Sequence, residues 1–278
     1  MVGSLWGVRV LLMKNLLLFA VLVSLPLLLG GCGEKSSSKG LESASEESSD
    51  TPNSLSDADV ERLLKEAVVL NSLEEREGVH YRPNESEPFS GWVKRMHDSG
   101  QLKSLFQFKD GKLDGHLTAW YENGKKEAEA TFVDGKSDGL STKWHENGQK
   151  KTESNYKNDK LDGLLLRWHE NGQKSWEANF KDGKQNGLEV WWHKNGQKEQ
   201  ETNFKDDKKE GLELSWMDNG QKDKEINYKD GKGHGPSVMW HKNGQKKWEA
   251  IFKDDELISE KWWNNRGKPV DSYEESFN

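Results

Sequence analysis

Five histidines recur at the same place in a repeated phrase of this sequence, and histidine is the commonest metal ligand in proteins. They are His97, His145, His169, His193 and His241. If each phrase belongs to one β-hairpin, equivalent residues of successive hairpins lie two strands apart, at about 9.6 Å. Two ligands of one zinc ion lie within about 3.5 Å of each other. The spacing therefore argues against a shared metal ion, and we expect these histidines to be solvated strand residues.

Glutamate also recurs, and a carboxylate can serve as a general acid or base. The six copies are Glu129, Glu153, Glu177, Glu201, Glu225 and Glu249. An active site needs a constellation that its sibling units lack, whereas these glutamates follow the repeat. The sequence has no nucleophile-elbow or phosphate-loop motif. We therefore expect no catalysis, no cofactor and no metal, and we expect the glutamates to pair with lysines across strands.

The recurring residues belong to a repeat of 24 residues. Units 1 to 7 start at Gly91, Gly115, Gly139, Gly163, Gly187, Gly211 and Gly235, and a degenerate eighth unit starts near Ser259. Repeat positions are counted from these glycines. Position 6 is tryptophan at Trp120, Trp144, Trp168, Trp192, Trp216 and Trp240, and position 10 is glycine at Gly124, Gly148, Gly172, Gly196, Gly220 and Gly244. Position 18 is Phe or Tyr. In unit 8 the tryptophan and glycine come one residue early, which predicts the loss of a loop residue.

Each unit carries two turn signals, so each unit is predicted to contribute two short strands. Asn-Gly, as at 147–148, is the strongest short-range signal of a hairpin. A second turn is predicted at Lys-Asp-Gly-Lys, as at 109–112. Asp159, Asp207 and Asp255 replace the glycine of this turn in three units. Aspartate tolerates positive φ, so we expect the turn to persist there.

The turn type is predicted from the side chains that would share a face. A two-residue turn over Asn-Gly would put positions 6 and 18 on opposite faces, and a three-residue turn with a left-handed glycine would put them on one face. The second choice separates apolar from polar residues better, so we prefer it. It groups Leu164, Leu166, Trp168, Trp176, Ala178 and Phe180 against Leu165, Arg167, His169, Ser175, Glu177 and Asn179.

These signals predict an all-β fold over 91–278. Seven hairpins, a leading strand and a partial trailing hairpin give roughly sixteen strands. Open sheets of more than about ten strands curl or flatten. We therefore predict one elongated, curved antiparallel sheet of tandem hairpins, preceded by one short α-helix. A single hairpin is barely stable, so stability should come from contacts between adjoining units.

The pattern G-x-x-x-x-W-[HY]-x-N-G-x-K, followed by [FY]-x-x-G-K-x-x-G, resembles the MORN repeat (membrane occupation and recognition nexus). The nearest variant is the bacterial YwqK type, which is labelled an antitoxin family. The resemblance covers 91–268, with a similar lead-in EPFSG at 87–91. It implies a non-enzymatic, all-β repeat protein that contacts proteins or lipids. The label implies neutralisation of a partner toxin by binding.

The N-terminus has the features of a secretion signal. Residues 1–32 contain basic residues, an apolar run at 16–29 and small residues. The run is shorter than the roughly 20 residues of a membrane-spanning helix, although an uncleaved anchor is the alternative. L-G-G-C at 29–32 resembles the lipobox of bacterial lipoproteins, which implies cleavage before Cys32 and lipid attached to it. The chain would then be a membrane-anchored lipoprotein outside the cytoplasm, at the outer membrane or the cell surface.

A tether and a cap are predicted between the signal and the repeats. Residues 33–55 are rich in Ser and Glu and lack aromatics, which is typical of a disordered linker. A helix-start signal at 56–59 and apolar residues at helical spacing predict one amphipathic helix over 56–75. A leading strand is expected near 79–82. The region 56–90 should cover an exposed end of the sheet, and a partner-binding or membrane-lying helix is the alternative.

Composition argues against a nucleic-acid partner. The net charge is −7, and the acidic excess lies mostly in 33–90, while the repeats are nearly neutral. No basic face is implied by these totals. Only 32% of residues are hydrophobic, yet the chain has 13 tryptophans. A thin fold held together by aromatic side chains accounts for both values.

Four tryptophans break the repeat pattern, and a single partner could select them. They are Trp176, Trp191, Trp248 and Trp262, the candidate partner-binding residues. We predict a non-enzymatic, lipid-anchored scaffold that binds a protein, with a toxin as one candidate partner. The alternative is a glycan- or cell-wall-binding module whose aromatic ladder stacks on sugars.

Overall fold

The structure, a computed structural model, describes residues 55–277. The predicted signal peptide, Cys32 and nearly all of the predicted tether lie outside the described residues. In chain order, the elements are helix α1 (Asp57–Glu66), strand β1 (Val68–Val69), a 3-10 helix (Leu70–Ser72), β2 (Glu74–Arg76), β3 (Val79–Tyr81), β4 (Gly91–Met96), β5 (Leu102–Lys109), β6 (Lys112–Trp120), β7 (Lys126–Val133), β8 (Lys136–Trp144), β9 (Lys150–Lys157), β10 (Lys160–Trp168), β11 (Lys174–Lys181), β12 (Lys184–Trp192), β13 (Lys198–Lys205), β14 (Lys208–Trp216), β15 (Lys222–Lys229), β16 (Lys232–Trp240), β17 (Lys246–Lys253), β18 (Glu256–Trp263), β19 (Pro269–Val270) and a second 3-10 helix (Glu274–Phe277).

Seventeen strands form one long, open sheet. From β4 to β19 each strand pairs antiparallel with the next strand of the sequence. Strand β1 joins β4 in parallel at the first edge. The all-β class, the single sheet of tandem hairpins and the leading helix are therefore confirmed.

The region before the first repeat differs in detail from the prediction. Helix α1 starts as expected, because Ser56 Oγ accepts a hydrogen bond from the backbone N–H of Asp59 at 3.2 Å. It ends at Glu66 instead of near residue 75, because Val68 and Val69 pair with β4. The predicted leading strand exists as β3, but it pairs with β2 in a separate two-stranded sheet.

The three-residue turn after position 6 is present as predicted. In unit 3 the N–H of His145 donates to the carbonyl of Gln149 at 2.8 Å, and the N–H of Gly148 donates to the carbonyl of His145 at 2.8 Å. The loop therefore holds residues 146–148. Gly148 has a φ of +95°, which a residue with a Cβ adopts only under strain.

The second turn of each unit has two residues, both with positive φ. Asp182 has a φ of +50° and Gly183 a φ of +85°, which is the type I′ hairpin turn. Where aspartate replaces the glycine the turn persists, with φ of +65° at Asp159, +66° at Asp207 and +72° at Asp255. This prediction is confirmed.

A second irregularity in each hairpin decides which side chains share a face. Trp168 pairs with Lys174, yet Arg167 pairs with Trp176, so one residue of β11 is extra. This bulge shifts the side-chain alternation by one residue. Trp168 therefore lies on the face of Leu166, and Trp176 lies on the other face. The prediction that positions 6 and 18 share a face is wrong, because the second bulge reverses the effect of the three-residue turn.

The two faces are defined from the strand register in units 4 and 5. The front face carries Leu164, Leu166, Trp168, Glu177 and Val190, and the back face carries Leu165, Arg167, Trp176, Ala178, Phe180 and Glu189. The predicted grouping of Leu164, Leu166 and Trp168 with one another holds. Their grouping with Trp176, Ala178 and Phe180 is wrong.

The apolar core is densest at the N-terminal end, where both faces are covered. A back-face cluster contains Phe89, Val93, Phe106 and Phe108. On the front face Leu105 has no exposed surface and packs against Leu63 of α1 and Ala67, which follows the helix. A smaller cluster of Leu165, Trp176 and Ala178 lies on the back face of unit 4. Within the described part of the chain, every helix is too short or too polar to cross a membrane.

The eighth unit lacks a strand residue instead of the loop residue that the sequence predicted. Strand β18 has 8 residues where β16 has 9. Both turns that flank β18 are intact, since Asp254 and Asp255 keep positive φ and the N–H of Gly267 bonds to the carbonyl of Asn264 at 2.9 Å. The deletion falls at the bulge where other units have a glycine, such as Gly235 with a φ of +101°.

Candidate functional site

The repeated phrase forms a turn that its own asparagine holds closed. In unit 3 the Oδ1 of Asn147 accepts a hydrogen bond from the backbone N–H of Gln149 at 2.9 Å. The equivalent bond occurs at Asn123, Asn171, Asn195, Asn219 and Asn243. Position 9 is therefore asparagine because its side chain closes the loop on the residue after the glycine.

Each turn is also bonded to the turn of the next unit. The Nε2 of His145 lies 3.1 Å from the carbonyl oxygen of Trp168, and the Nδ2 of Asn147 donates to the carbonyl of Glu170 at 2.8 Å. A carbonyl oxygen only accepts, so the histidine Nε2 carries the proton. The same bond is made by His97, His169, His193, His241 and, in unit 2, by Tyr121. The prediction of solvated histidines is wrong, because these residues are half-buried donors that join successive units.

The link between turns is different from unit 6 to unit 7. Position 7 of unit 6 is Met217, which has no side-chain N–H or O–H to donate, and it is buried. The Nδ2 of Asn219 lies 3.4 Å from Gln221 in its own turn, instead of bonding to a carbonyl of unit 7. The backbone ladder between β15 and β16 continues through this point.

Lysine at position 12 joins glutamate and tryptophan on the front face. The Nζ of Lys174 lies 2.8 Å from Glu177 and 5.4 Å from the ring centre of Trp192 in the next unit. Ion pairs of this kind involve all six recurring glutamates. The partners are three residues apart on one strand, and the bulge between them turns both to the front. The prediction of cross-strand pairs is therefore wrong, although lysine is the partner.

The recurring histidines and glutamates are thus explained by bonding within the repeat. Among residues 55–277, no three His, Cys, Asp or Glu side chains converge as a metal site would require. The histidine donors point to backbone carbonyls, and the carboxylates contact lysines. The remaining candidates for function are side chains that differ from unit to unit.

The four candidate binding tryptophans form two pairs on the back face. Trp176 lies opposite Trp191 on β11 and β12, and their ring centres are 5.7 Å apart. Trp248 lies opposite Trp262 on β17 and β18, at 5.8 Å. The structure therefore brings together residues that the sequence identified only as exceptions to the pattern. The two pairs occupy equivalent places three units apart.

One indole of each pair is buried and the other is partly accessible. The Nε1 of Trp176 donates to Glu189 at 2.6 Å, and the Nε1 of Trp248 donates to Glu260 at 2.9 Å. These two tryptophans are 7% and 8% exposed, whereas their partners are half-buried. Buried aromatic rings stabilise the sheet. Only the outer ring of each pair offers surface to a partner.

Other groups of the chain already contact both pairs. The guanidinium of Arg167 lies 4.6 Å from the ring centre of Trp176, and burial lowers the pKa of Arg167. Burial raises the pKa of Glu189, and the N–H bond from Trp176 opposes that rise. In the second pair, Tyr273 packs on Trp262 with ring centres 5.3 Å apart. Little of the aromatic surface is therefore free.

An apolar block on the front face of units 4 to 6, carried by alternate strands with residues such as Glu177 of β11 between them, was not predicted. These units carry aliphatic residues at positions 2 and 4 and tryptophan at position 6. The block comprises Leu164, Leu166, Trp168, Leu188, Val190, Trp192, Leu212, Leu214 and Trp216. Its position 2 leucines, Leu164, Leu188 and Leu212, are 37%, 38% and 39% exposed. The sequence signal is the repeated L-x-[LV]-x-W, which the incorrect face assignment mixed with back-face residues.

Helix α1 contacts positions 2 and 4 of the first hairpin on the front face. Leu63 of α1 packs on Leu105 at position 15. Trp92 at position 2 and Trp120 at position 6 of unit 2 border the same contact. Lys94 at position 4 donates from Nζ to a carbonyl oxygen of the helix at 2.8 Å. The front face of this repeat therefore accommodates an amphipathic helix.

A buried ion cluster lies on the back face of units 5 and 6. Glu213 is 1% exposed, and its carboxylate contacts the Nζ of Lys209 and, at 3.3 Å, the Nζ of Lys224. A buried carboxylate requires such partners because desolvation disfavours its charge. This ion cluster lies beside the first tryptophan pair along the sheet.

One buried carboxyl lacks a hydrogen-bond partner for one of its oxygens. Asp223 is 3% exposed, and its Oδ2 accepts no hydrogen bond. Burial raises the pKa of Asp223 to about 7, and the charges of Lys224 and Lys247 limit that rise. The residue is the extra one in the bulge of β15.

Comparison with known proteins agrees with this repeat architecture. Residues 113–134, 137–158 and 185–206 match the profile of the MORN repeat variant. Each match covers one long hairpin, for example β6 and β7. No curated protein matches the chain. The fold and these matches define a repeat protein whose single sheet contains MORN-type hairpins.

The asparagine at position 9 provides a test of the bonds between units. Asn195 donates to the carbonyl of Asp218 in the next unit at 2.7 Å, whereas Asn219 makes no equivalent bond to unit 7. Asn195→Ala should lower the free energy of unfolding by about 1 kcal/mol more than Asn219→Ala. Urea unfolding followed by tryptophan fluorescence measures the difference. Equal losses in the two variants would show that the bond between units contributes nothing.

The raised pKa of Asp223 makes stability depend on pH. Its pKa moves from 3.8 in the unfolded chain to about 7 in the fold. The folded state therefore holds an extra proton between these values, and the free energy of unfolding falls as pH rises from about 4 to about 7. Asp223→Asn should remove this fall and stabilise the protein at pH 8, by at most about 4 kcal/mol.

Thermal and urea unfolding between pH 4 and pH 8 measure this effect. The exposed Asp218→Asn variant controls for the loss of one negative charge in the same unit. The two variants should differ at pH 8 and agree at pH 4. A parallel pH profile for the wild type and Asp223→Asn would contradict the prediction.

Proposed function

We propose that this chain is a non-enzymatic, lipid-anchored scaffold that binds a protein partner on its front face. The observation that carries the proposal is the apolar block of units 4 to 6. Its position 2 leucines stay more than a third exposed, whereas Trp92 at position 2 of unit 1 packs against the cluster that α1 forms with Leu105. Exposed apolar surface of this kind marks interaction sites in soluble domains.

The expected occupant is an amphipathic helix of the partner. Successive position 2 leucines lie two strands apart, at about 9.6 Å, close to the roughly 10.5 Å between residues i and i+7 of a helix. A helix that runs across the strands can therefore place one apolar residue on each unit. The contact of α1 with Leu105 and Trp92 provides the precedent within this chain.

Sugar stacking is less well supported. The Nζ of Lys150, Lys174 and Lys198 lies 5.7, 5.4 and 5.9 Å from the ring centres of Trp168, Trp192 and Trp216. A lysine over the ring occupies a face on which a sugar would stack. On the back face, the inner tryptophan of each pair is buried. The aromatic side chains are therefore already in contact with other residues of the sheet, which leaves less of their surface for a sugar.

The sequence of the N-terminus supports a location on a membrane surface outside the cytoplasm. Lipid on Cys32 and a linker over 33–55 would hold the repeats near the membrane. Roughly 23 linker residues reach about 78 Å when fully extended. A scaffold placed there could neutralise a toxin as an immunity protein does, by covering the surface that the toxin needs.

Photo-crosslinking in intact source cells tests the front face directly. A benzophenone amino acid at Leu188 should give an adduct with one protein, and the crosslinked peptide should map to the apolar side of an amphipathic helix. Adding Leu164→Gln and Leu212→Gln should abolish the adduct, because both flanking contacts are lost. Mass spectrometry of the adduct identifies the partner and the contact.

Val133 provides the matched control, because it is an exposed aliphatic residue, 52% exposed, outside the block. The same probe at Val133 should give no adduct, and Val133→Gln should leave the Leu188 adduct intact. Adducts with lipid or glycan, or equal adducts from both positions, would overturn the proposal.

The anchor is tested separately. Cys32→Ser should abolish incorporation of radiolabelled palmitate, because only this side chain can receive lipid at the cleavage site. Gly33→Ala, one residue along, should retain the label. If Cys32→Ser is still labelled, the chain is anchored in another way.

A further inference from the structure

The last long strand, β18, has an open edge. Strand β19 pairs with it only at Trp262 and Trp263. Residues 256–261 have no partner strand on this side among residues 55–277, and all six are exposed. Unpaired backbone N–H and C=O groups along a strand edge are a template for another strand.

Two repeat positions at this end of the sheet, one on β18 and one on the neighbouring β17, are apolar where all earlier units are polar. Position 17 is Gln107, Thr131, Asn155, Asn179, Asn203 and Asn227, and then Ile251. Position 24 is Asp114, Asp138, Asp162, Asn186, Glu210 and His234, and then Ile258. Ile251, Leu257 and Ile258 are 48%, 46% and 54% exposed. Polar and charged side chains normally protect an edge strand from pairing with another strand, and here two of them are replaced by isoleucine.

The faces of the edge residues follow from the pairing with β17. Glu256 is opposite Lys253, Ser259 is opposite Ile251, and Lys261 is opposite Glu249. Because Lys253, Ile251 and Glu249 alternate with back-face residues, these three partners on β18 lie on the front. Leu257 and Glu260, opposite Phe252 and Ala250, lie on the back, and Ile258 is the extra residue between them.

This arrangement is self-complementary under two-fold symmetry. If two copies of β18 pair antiparallel with the axis between residues 258 and 259, Glu256 of one copy faces Lys261 of the other, and Leu257 faces Glu260. The opposed pairs 256–261 and 257–260 then each lie on one face, and Ile258 of one copy faces Ser259 of the other. Shifting the register by one residue in either direction opposes front and back residues. The matching register also pairs opposite charges twice, and it brings Ile258 of the two copies close to the axis, with Ile251 of each copy one strand further away on β17.

We infer that the open edge of β18 is an interface for a second copy of this chain, which pairs antiparallel and continues the sheet. Backbone hydrogen bonds supply the attraction, Ile258 of both copies is removed from water, and the Glu256–Lys261 pairs select the register. A two-fold contact of this kind is closed, so the product is a dimer and not a fibre. The inference is independent of the front-face proposal.

Sedimentation equilibrium of the full chain in detergent tests the interface. The wild type should form a dimer. Glu256→Lys or Lys261→Glu alone should raise the dissociation constant by about tenfold or more, because each places like charges opposite each other twice. The double variant should restore association to within a few-fold of the wild type. Glu146→Lys, the same charge change on an exposed turn, should leave the dimer unchanged.

Hydrogen exchange of the wild type locates the surface at which any dimer forms. This measurement does not depend on whether the charge variants fold. Amides of 257–261 in the wild type should exchange more slowly as protein concentration rises, whereas those of the exposed turn 146–149 should not change. A monomer at all concentrations, association that the single variants do not weaken, or exchange at 257–261 that does not depend on concentration would each overturn the inference.

Discussion

The hydrogen bonds that join each turn to the turn of the next unit are the constraint on which this sheet depends. A hairpin alone is barely stable, and a single-layer sheet has no second layer to complete its core. In units 2 to 5 and 7 the turn therefore donates from position 7 and position 9 to carbonyls of the following unit, as His145 and Asn147 do. Lysine at position 12 adds a contact with the tryptophan of the next unit on the front face. The phrase recurs with few changes because most copies are the donor to one neighbour and the acceptor from the other.

This division of labour separates residues that build the sheet from residues that can select a partner. The symmetric histidines, glutamates and position 6 tryptophans are committed to contacts within and between units. Departures from symmetry are therefore the informative places: the leucines at position 2 of units 4 to 6, the back-face tryptophan pairs, and the link at Met217 where the side-chain donor is absent. The tryptophan pairs are largely self-contained, because Arg167 and Glu189 contact one of them and Tyr273 the other. The front-face leucines have no such cover.

The two ends of the sheet differ in how many elements of the chain cover them. At the first edge, α1 covers the front of the first hairpin, β1 pairs with β4, and Phe89 packs on the back. At the last edge, among residues 55–277, β18 has only β19 as a partner on this side, over two residues. The loss of the glycine bulge from β18 also changes its register against β17, so that Ile258 occupies the irregular position. A strand whose backbone edge is largely unpaired is a place where another strand can add.

The sequence by itself determined the period of 24, the two turns of each unit, the all-β class and the leading helix. These features are local, because Asn-Gly, Asp-Gly and the Ser56 cap fix backbone dihedrals within a few residues. It also marked Trp176, Trp191, Trp248 and Trp262 as exceptions, without their pairing. Only the tertiary structure decided which faces the side chains share, because the second bulge of each hairpin exists only in the register between strands. The hydrogen-bond partners of the histidines could not be predicted for a related reason. Each partner is a carbonyl of the next unit, and that contact forms only when neighbouring hairpins are in register. The end of α1 at Glu66 was likewise set by a distant element, since Val68 and Val69 pair with β4.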